Sequence, residues 1–413
     1  MKNEEPKRQR HSLLETGTMK RRGSLLGVMG LLVIIAWSPD AGAHTKGLTL
    51  SRFGLIDVSL QANVDYVNFS DPKRVDFDKI GDRQEKGFNL TSFDLSLSGE
   101  TAEFPLKFAM FLTFEQDRAS IEEAFLFFHK LGEFSPWLSD FQATVGQFRV
   151  KFGQLNQIHD HEWFLDDMPL SHVKFLGPDG VHLLGAEVTY QPPISPFIQF
   201  SLAIQSKGAL SGYPAATPST PPTFALETAD DLVVFPRVET FFDLTDNADL
   251  SLGASAAIGK NKPKSEDRTY LIGGDVLYRW KSGAQSWPYI RWLTEGIWAV
   301  RKDPIVVAGA NKGLQLGSDV VGGAFTELGY RFSRHWQVTG RFEYVGIPKG
   351  NEDEDLRVSG GLRYLLTPVA KIGVQYEYHA KSGRDLPYHA VFIQFNVGLG
   401  TVTPGVGKFL DPF

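Results

Sequence analysis

The sequence predicts an all-β chain folded as a closed, antiparallel transmembrane β-barrel of about 16 strands. Three observations carry that prediction. Roughly ten-residue stretches place an apolar side chain at every second position, an export signal precedes them, and long connections alternate with short ones. Side chains of a strand point to opposite faces with period two, so each stretch has one oily and one wet face. Ile56, Val58, Leu60, Ala62, Val64 and Tyr66 alternate with Asp57, Ser59, Gln61, Asn63 and Asp65. Near the other end, Ile372, Val374, Tyr376 and Tyr378 alternate with Lys371, Gly373, Gln375, Glu377 and His379.

Residues 1–43 read as a signal peptide. Lys20, Arg21 and Arg22 form a basic n-region, Leu25 to Trp37 an apolar run, and Ala41-Gly42-Ala43 a small-x-small cleavage site. An apolar run of about 13 residues is too short to cross a bilayer as a helix. Met19 is an alternative start, because Glu4 and Glu5 are unusual ahead of such a signal. Cleavage after Ala43 leaves 44–413 as the barrel.

Composition narrows the function classes. With no Cys in 413 residues, neither disulfides nor thiolate metal sites are available. Residues 1–43 hold 7 of the 42 basic and 4 of the 48 acidic residues, leaving 35 against 44 and a net charge of −9. That balance argues against nucleic acid as a partner, which needs a basic footprint. Mean hydropathy is only −0.16 although aromatics make up 12% of the chain. After residue 43 no run reaches the length of a transmembrane helix. Apolar residues spread over alternate positions, rather than gathered in runs, fit a barrel facing outer-membrane lipid.

Along the chain, strands are predicted at 54–67, 88–99, 105–115, 121–130 and 141–152, then at 180–191, 197–206, 233–244, 248–259 and 268–280. The last six lie at 288–300, 322–333, 335–346, 355–366, 369–380 and 388–399. Segment 121–130 alternates poorly; most of the others are long enough to cross the hydrocarbon when tilted. Connections 192–196, 245–247, 281–287, Arg334 and 367–368 are short and follow even-numbered strands. Connections 68–87, 153–179, 207–232 and 301–321 are long and follow odd-numbered ones. A barrel with both termini inside sorts its loops this way, long ones outward. The Pro-, Ser- and Thr-rich stretch 213–223 reads as part of an external loop. Tyr66, Phe152, Tyr190, Trp280, Tyr289, Trp336, Tyr364 and Tyr378 fall near strand ends, where rings with a polar tip meet the membrane–water boundary.

In hydrocarbon an unpaired backbone group costs several kcal/mol, so a membrane sheet must close on itself. About 16 strands make a barrel too wide for its own side chains to fill. The expected consequence is a water-filled channel for passive diffusion of small hydrophilic solutes or ions. Charges on the wet register line it: Asp57, Asp65, Asp94, Arg149, Lys151, Asp249, Asp275, Arg279, Arg291, Glu295, Glu327, Arg331, Arg341, Glu343, Arg357, Arg363, Lys371 and Glu377. Arg149, Lys151, Arg291, Glu295, Arg341, Arg357 and Arg363 are the candidates for pore-lining selectivity. Loop 153–179, carrying His159, Asp160, His161, Glu162, Asp166 and Asp167, is the candidate constriction that folds into the bore.

His159, Asp160, His161 and Glu162 are also metal-ligand types. They are adjacent rather than one helical turn apart and have no distant partner, so no metal site and no cofactor are assigned. No Ser sits in a Gly-x-Ser-x-Gly setting, and no enzymatic activity is expected.

Gly146-Gln147-Phe148-Arg149-Val150-Lys151-Phe152-Gly153 resembles the G-Q/K-F-K-x-P-F-G strand of the phosphate-selective porin O and P family, with Lys151 where that family usually has Pro. Gly274-Asp275-Val276-Leu277-Tyr278-Arg279 and Thr294-Glu295-Gly296-Ile297-Trp298 are similar in character to later strands of the same family. The resemblance implies an outer-membrane porin. It leaves open a general pore, a substrate-specific channel for anions such as phosphate or for metal ions, and a structural or adhesive barrel. By analogy it also implies a homotrimer. Phe413 resembles the terminal aromatic read by the barrel-assembly machinery, though Asp411-Pro412 interrupts the strand pattern before it.

Overall fold

A computed structural model describes residues 48–50, 54–70, 86–101, 104–114, 119–177, 180–206, 223–224, 231–260, 267–283, 287–301, 320–348, 354–367, 370–381 and 387–400. The predicted signal at 1–43, nearly all of 213–223 and Phe413 lie outside them. No described helix is long and apolar enough to cross a membrane.

Among the described residues, 16 strands form a closed antiparallel ring. They are β1 (Gly54–Phe69), β2 (Gly87–Glu100), β3 (Leu106–Phe114), β4 (Ala119–Phe128), β5 (Phe141–Arg149), β6 (His182–Tyr190), β7 (Phe197–Ser206) and β8 (Val233–Thr245). The ring continues through β9 (Ala248–Lys260), β10 (Arg268–Lys281), β11 (Tyr289–Arg301), β12 (Val320–Arg331), β13 (Trp336–Ile347), β14 (Asp355–Thr367), β15 (Ala370–Lys381) and β16 (Tyr388–Gly400). Each strand pairs with the next. β16 returns to β1 in register from Ala390↔Phe69 to Gly400↔Ser59, so every strand of the ring has two neighbours. A short strand, Leu48–Leu50, not anticipated from the sequence, pairs with the start of β1.

The alternation sorts as expected. Leu328, Ile272, Phe342 and Val374 point outward with roughly half of their surface exposed (53%, 54%, 50% and 49%). Glu327, Gly273, Arg341, Glu343, Gly373 and Gln375, one residue away on the same strands, point inward. An outer face this apolar is compatible with lipid and not with water.

Two local departures matter for the site. At β3–β4 the register runs Phe111↔Glu123 and then Leu112↔Ile121, which leaves Glu122 as the extra residue of a bulge. Both Glu122 and Glu123 then reach residues inside the bore, and the poor alternation of 121–130 has its cause. The strand expected at 141–152 stops at Arg149 instead. Gly146 adopts φ 135°, a conformation glycine takes without steric cost, and the chain peels off the wall after Arg149.

From Val150 to Val181 the chain crosses the interior. It forms single turns at Leu155–Gln157 and Asp160–Glu162 and helix α1 (Leu170–Leu176). Phe152, Phe175 and Leu176 pack with the inward residues Phe111, Phe125, Phe235 and Ile297 in one apolar cluster. Leu155, Trp163 and Met168 pack with Leu277, Leu293 and Phe325 in another. Each fully buried Leu, Met or Phe contributes about 1.5–3 kcal/mol, enough together to hold the segment against the β3–β12 wall. The bore is therefore not evenly filled with water, because an apolar core occupies one side of it.

Candidate functional site

The inserted segment is docked by three carboxylates and a row of glycines on the wall. The Gln154 and Leu155 N–H groups both donate to Glu295 Oε1 at 2.8 Å, and His172 Nε2 lies 3.0 Å from Glu295 Oε2. The Leu170 N–H donates to Glu343 Oε2 at 2.6 Å, while Arg341 Nε and Arg357 Nε donate to Glu343 Oε1 at 2.7 and 2.8 Å. Asp167, on the segment itself, forms ion pairs through Oδ2 with Arg341 Nη2 at 2.7 Å and Arg357 Nη1 at 2.6 Å. Those two arginines also donate to the carbonyls of Asp167 and Met168, at 2.9 and 2.6 Å. Arg363 donates to the Trp163 carbonyl, and the Asp166 N–H donates to Gln375 Oε1 at 2.7 Å. Irregular backbone inside a barrel needs such partners, since each unpaired buried group costs free energy.

Wall glycines make room for this chain. A Cβ on Gly273 would meet the Phe152 ring at 2.8 Å, and one on Gly361 would meet Leu165 at 2.8 Å. Gly329 gives its place to the Phe164 ring, over which the Arg291 guanidinium lies at 4.7 Å. Thr223, from the connection between β7 and β8, donates to the Phe175 carbonyl at 2.8 Å, and Phe224 joins the same apolar cluster.

At the root, Arg149 pairs with Glu122 and its N–H donates to Glu123 Oε1 at 2.6 Å. Lys151 reaches Glu187 at 2.7 Å and donates to Thr189 at 2.8 Å. Asn156 staples the two ends of the segment. Its Nδ2 donates to the Val150 carbonyl and its Oδ1 accepts from the Val181 N–H, both at 2.8 Å. Gly180, at φ 71°, leaves the space that Asn156 fills. His159 lies 2.9 Å from Glu123, and its ring packs against Phe111 at 4.5 Å between centroids, tilted by 30°. Burial opposes its charge, but the Glu122 and Glu123 carboxylates outweigh that and push it up to about 10.

The sequence-predicted candidates thus fall into two groups. Arg149, Lys151, Arg341, Arg357, Asp166, Asp167 and His159 hold the segment in place, together with Glu295 and Arg291, whose Nη1 is 3.2 Å from Glu327. Asp160 and Glu162 sit half-buried at its edge, where both act electrostatically on Lys371 and Asp160 also acts on Asp94. His161 belongs to the same turn. Among the described residues no group of three or more His, Cys, Asp or Glu is placed to hold a metal.

Opposite that edge lies a polar crescent formed by β14–β16, β1 and β2, with one small apolar cluster, Val67, Phe69, Ala390 and Phe392, farther along β1 and β16. A directed chain of hydrogen bonds runs along it. Asn396 Nδ2 donates to Asn63 Oδ1, Asn63 Nδ2 donates to Ser92 at 2.6 Å, and Ser92 donates to Asp94 at 2.8 Å. Arg363 donates to Gln394 at 3.0 Å at the other end. Lys371, Gln61 and Asp94 are the half-buried members. Charge alone picks out Lys371, Arg363 and Asp94 from the sequence. The uncharged Gln394, Asn396, Asn63 and Ser92 between them share the same wet register, a signal legible only once strands 16, 1 and 2 are adjacent.

No family model matches the chain. A 344-residue stretch is 24% identical to an uncharacterized protein of Aquifex aeolicus, covering 78% of this chain and 70% of that one. Three outer-membrane channels or porins share the fold. OmpF of Salmonella typhi, solved with daunomycin, aligns at a TM-score of 0.54 and 10% identity over 84% of this chain and 99% of its own. The anion-selective porin of Comamonas acidovorans aligns at 0.51 and 10% over 83% and 99%. The channel DcaP of Acinetobacter baumannii aligns at 0.51 and 11% over 86% and 99%. What these likenesses establish is the architecture: this chain has the sixteen-stranded porin fold.

Proposed function

We propose that the chain, exported by its first 43 residues, is an outer-membrane channel for small hydrophilic solutes or ions. The observation that carries this reading is the closed ring with an apolar exterior and a charged interior crossed by an inserted segment. Such a ring has no stable place in water. The route runs through the polar crescent rather than the barrel centre, bounded by Asp160 and Glu162 on one side and by Lys371, Gln61 and Asp94 on the other. No bond is made or broken there, and selection rests on size and electrostatics.

Asp65, Asp94, Asp160, Glu162 and Asp166 outnumber Arg363 and Lys371 around this route, which favours cations. A phosphate-selective channel would need guanidinium groups open to the anion. Arg341 and Arg357 are instead paired with Asp167 and Glu343. Reversal potential across a KCl gradient tests the reading: the folded chain conducts with cation preference, and Asp94→Asn reduces that preference. An anion-selective current contradicts the charge argument. The burial of Arg341, Glu343, Arg357 and Glu377 favours a second reading, a plugged barrel with a structural or adhesive role. Negligible conductance of the folded protein would select it.

A further inference from the structure

The crescent is bipolar. Arg363 on β14 and Lys371 on β15 stand at one end and Asp94 on β2 at the other; between Lys371 and Asp94 run the uncharged Asn396, Asn63 and Ser92, with Gln394 and the buried Asp65 in the row beside them. On the facing edge, Asp160 lies within electrostatic reach of both ends, and Asp166 and Glu162 within reach of the Lys371 end. Lys371 is level with Ser92, so Asp94 lies three strand spacings across and two residues along the strand from it, about 16 Å in all at about 4.8 Å per spacing and about 3.3 Å per residue. Both side chains project over a concave surface, which brings their charged atoms closer than their backbones. The gap approaches the length of an extended tripeptide, about 10 Å.

The amides between the poles form a polarised row, with donors at Asn396, Asn63 and Ser92 all directed toward Asp94. The row leaves acceptors at its two ends. Asn396 Oδ1 and Asp94 Oδ1 are buried and have no hydrogen-bond partner among the described residues, and the Asn396 side chain belongs to a residue only 2% exposed. A buried acceptor without a donor carries a free-energy cost that an incoming N–H relieves.

We propose that the polar crescent recognises short zwitterionic peptides, with the carboxylate at Arg363 and Lys371, the ammonium at Asp94 and Asp160, and main-chain amides along the Asn396–Asn63 row. A simple ion satisfies one pole and none of the amide groups. A peptide of two or three residues satisfies both poles and supplies the N–H donors that the orphaned oxygens lack. The proposal rests on the channel reading above, which it deepens by naming the solute class.

The test uses the mature chain folded in planar bilayers, with three probes of nearly equal size. They are triglycine, a zwitterion; N-acetyltriglycine, an anion; and triglycine amide, a cation. Triglycine is expected to halve the KCl current at a concentration about tenfold below that of either derivative, as loss of one charge-assisted contact implies. A ratio below about threefold in the wild-type protein overturns the proposal without recourse to any variant. Asp94→Asn should then bring triglycine to the level of N-acetyltriglycine, and Lys371→Gln to that of the amide. Absence of any KCl current defeats the channel reading itself. In that case titration calorimetry of triglycine into the detergent-folded barrel decides the recognition claim separately: saturable heat supports it and no heat overturns it.

Discussion

Arg357 Nη1 meets Asp167 Oδ2 at 2.6 Å, joining β14 to a segment that left the wall nine strands earlier. Arg341 Nη2 takes the same oxygen at 2.7 Å. One loop carboxylate is therefore held by two neighbouring wall strands. Asp167→Asn keeps the shape and removes the charge, leaving both guanidinium groups buried with one fewer anion. Removing one partner of a buried pair costs about 3–5 kcal/mol. We expect lower thermal stability of the folded barrel and noisier current as the segment loosens, with the strand content by circular dichroism unchanged. A variant as stable and as quiet as the wild type would remove this pair from the docking account.

The glycine notches give a prediction of opposite polarity, since adding atoms should do the harm. Gly361→Val would meet Leu165, and Gly273→Val the ring of Phe152, both from wall positions. Overpacking of this kind costs about 1–3 kcal/mol. Gly340, whose Cβ would meet nothing within 4 Å, is the control, and Gly340→Val should be tolerated. Trp163 is 6% exposed and reports docking by its fluorescence. A red shift is expected in the first two variants and none in the third.

Much of this architecture is legible in the sequence, and the reason is geometric. Period-two alternation depends only on neighbours in the chain, so strands such as Ile372 to Tyr378 declare both existence and facing. The weak segment 121–130 was obscured by the bulge at Glu122, which no local pattern distinguishes from a break. The length of 153–179 and its acidic character could be read. Its anchoring could not. The Leu170 N–H finds Glu343 at a separation of 173 residues, and Asp166 finds Gln375 at 209. Gly273, Gly329 and Gly361 read as ordinary strand glycines until Phe152, Phe164 and Leu165 are seen beside them. Arg149 and Lys151, read from the sequence as pore-lining candidates, pair with Glu122 and Glu187 at the root of the segment and are buried there.

His159 adds a pH dependence whose sign follows from its environment. Its pKa is raised from 6.5 to about 10 in the folded protein. A raised value means the stabilisation is full below about 6.5, declines as pH rises, and is exhausted above about 10. His159→Gln should therefore be less stable than the wild type at pH 6, with the gap in thermal midpoint closing toward pH 10. A gap that widens with pH would place a neutral imidazole between Glu122 and Glu123.

The lipid-facing register is testable at a single outward position. Val374 is 49% exposed near the middle of β15, between the inward residues Gly373 and Gln375. Val374→Arg puts a charge in hydrocarbon at a cost of about 2–4 kcal/mol. Gln375→Arg, one residue away, meets the interior and its carboxylates. We expect the folded yield in bilayers to fall for the first substitution far more than for the second, measured by resistance of the barrel to heat in detergent.

The most direct measurement exploits the absence of Cys from the 413 residues. Single cysteines at Asp94 and at its strand neighbour Phe93 can be exposed to a charged, water-soluble thiosulfonate during a bilayer recording. A hydrated crescent predicts that Asp94→Cys reacts and that its current changes stepwise on modification, while Phe93→Cys stays silent in lipid. Equal reactivity at the two positions, or reaction at 93 alone, would contradict an aqueous path along this wall.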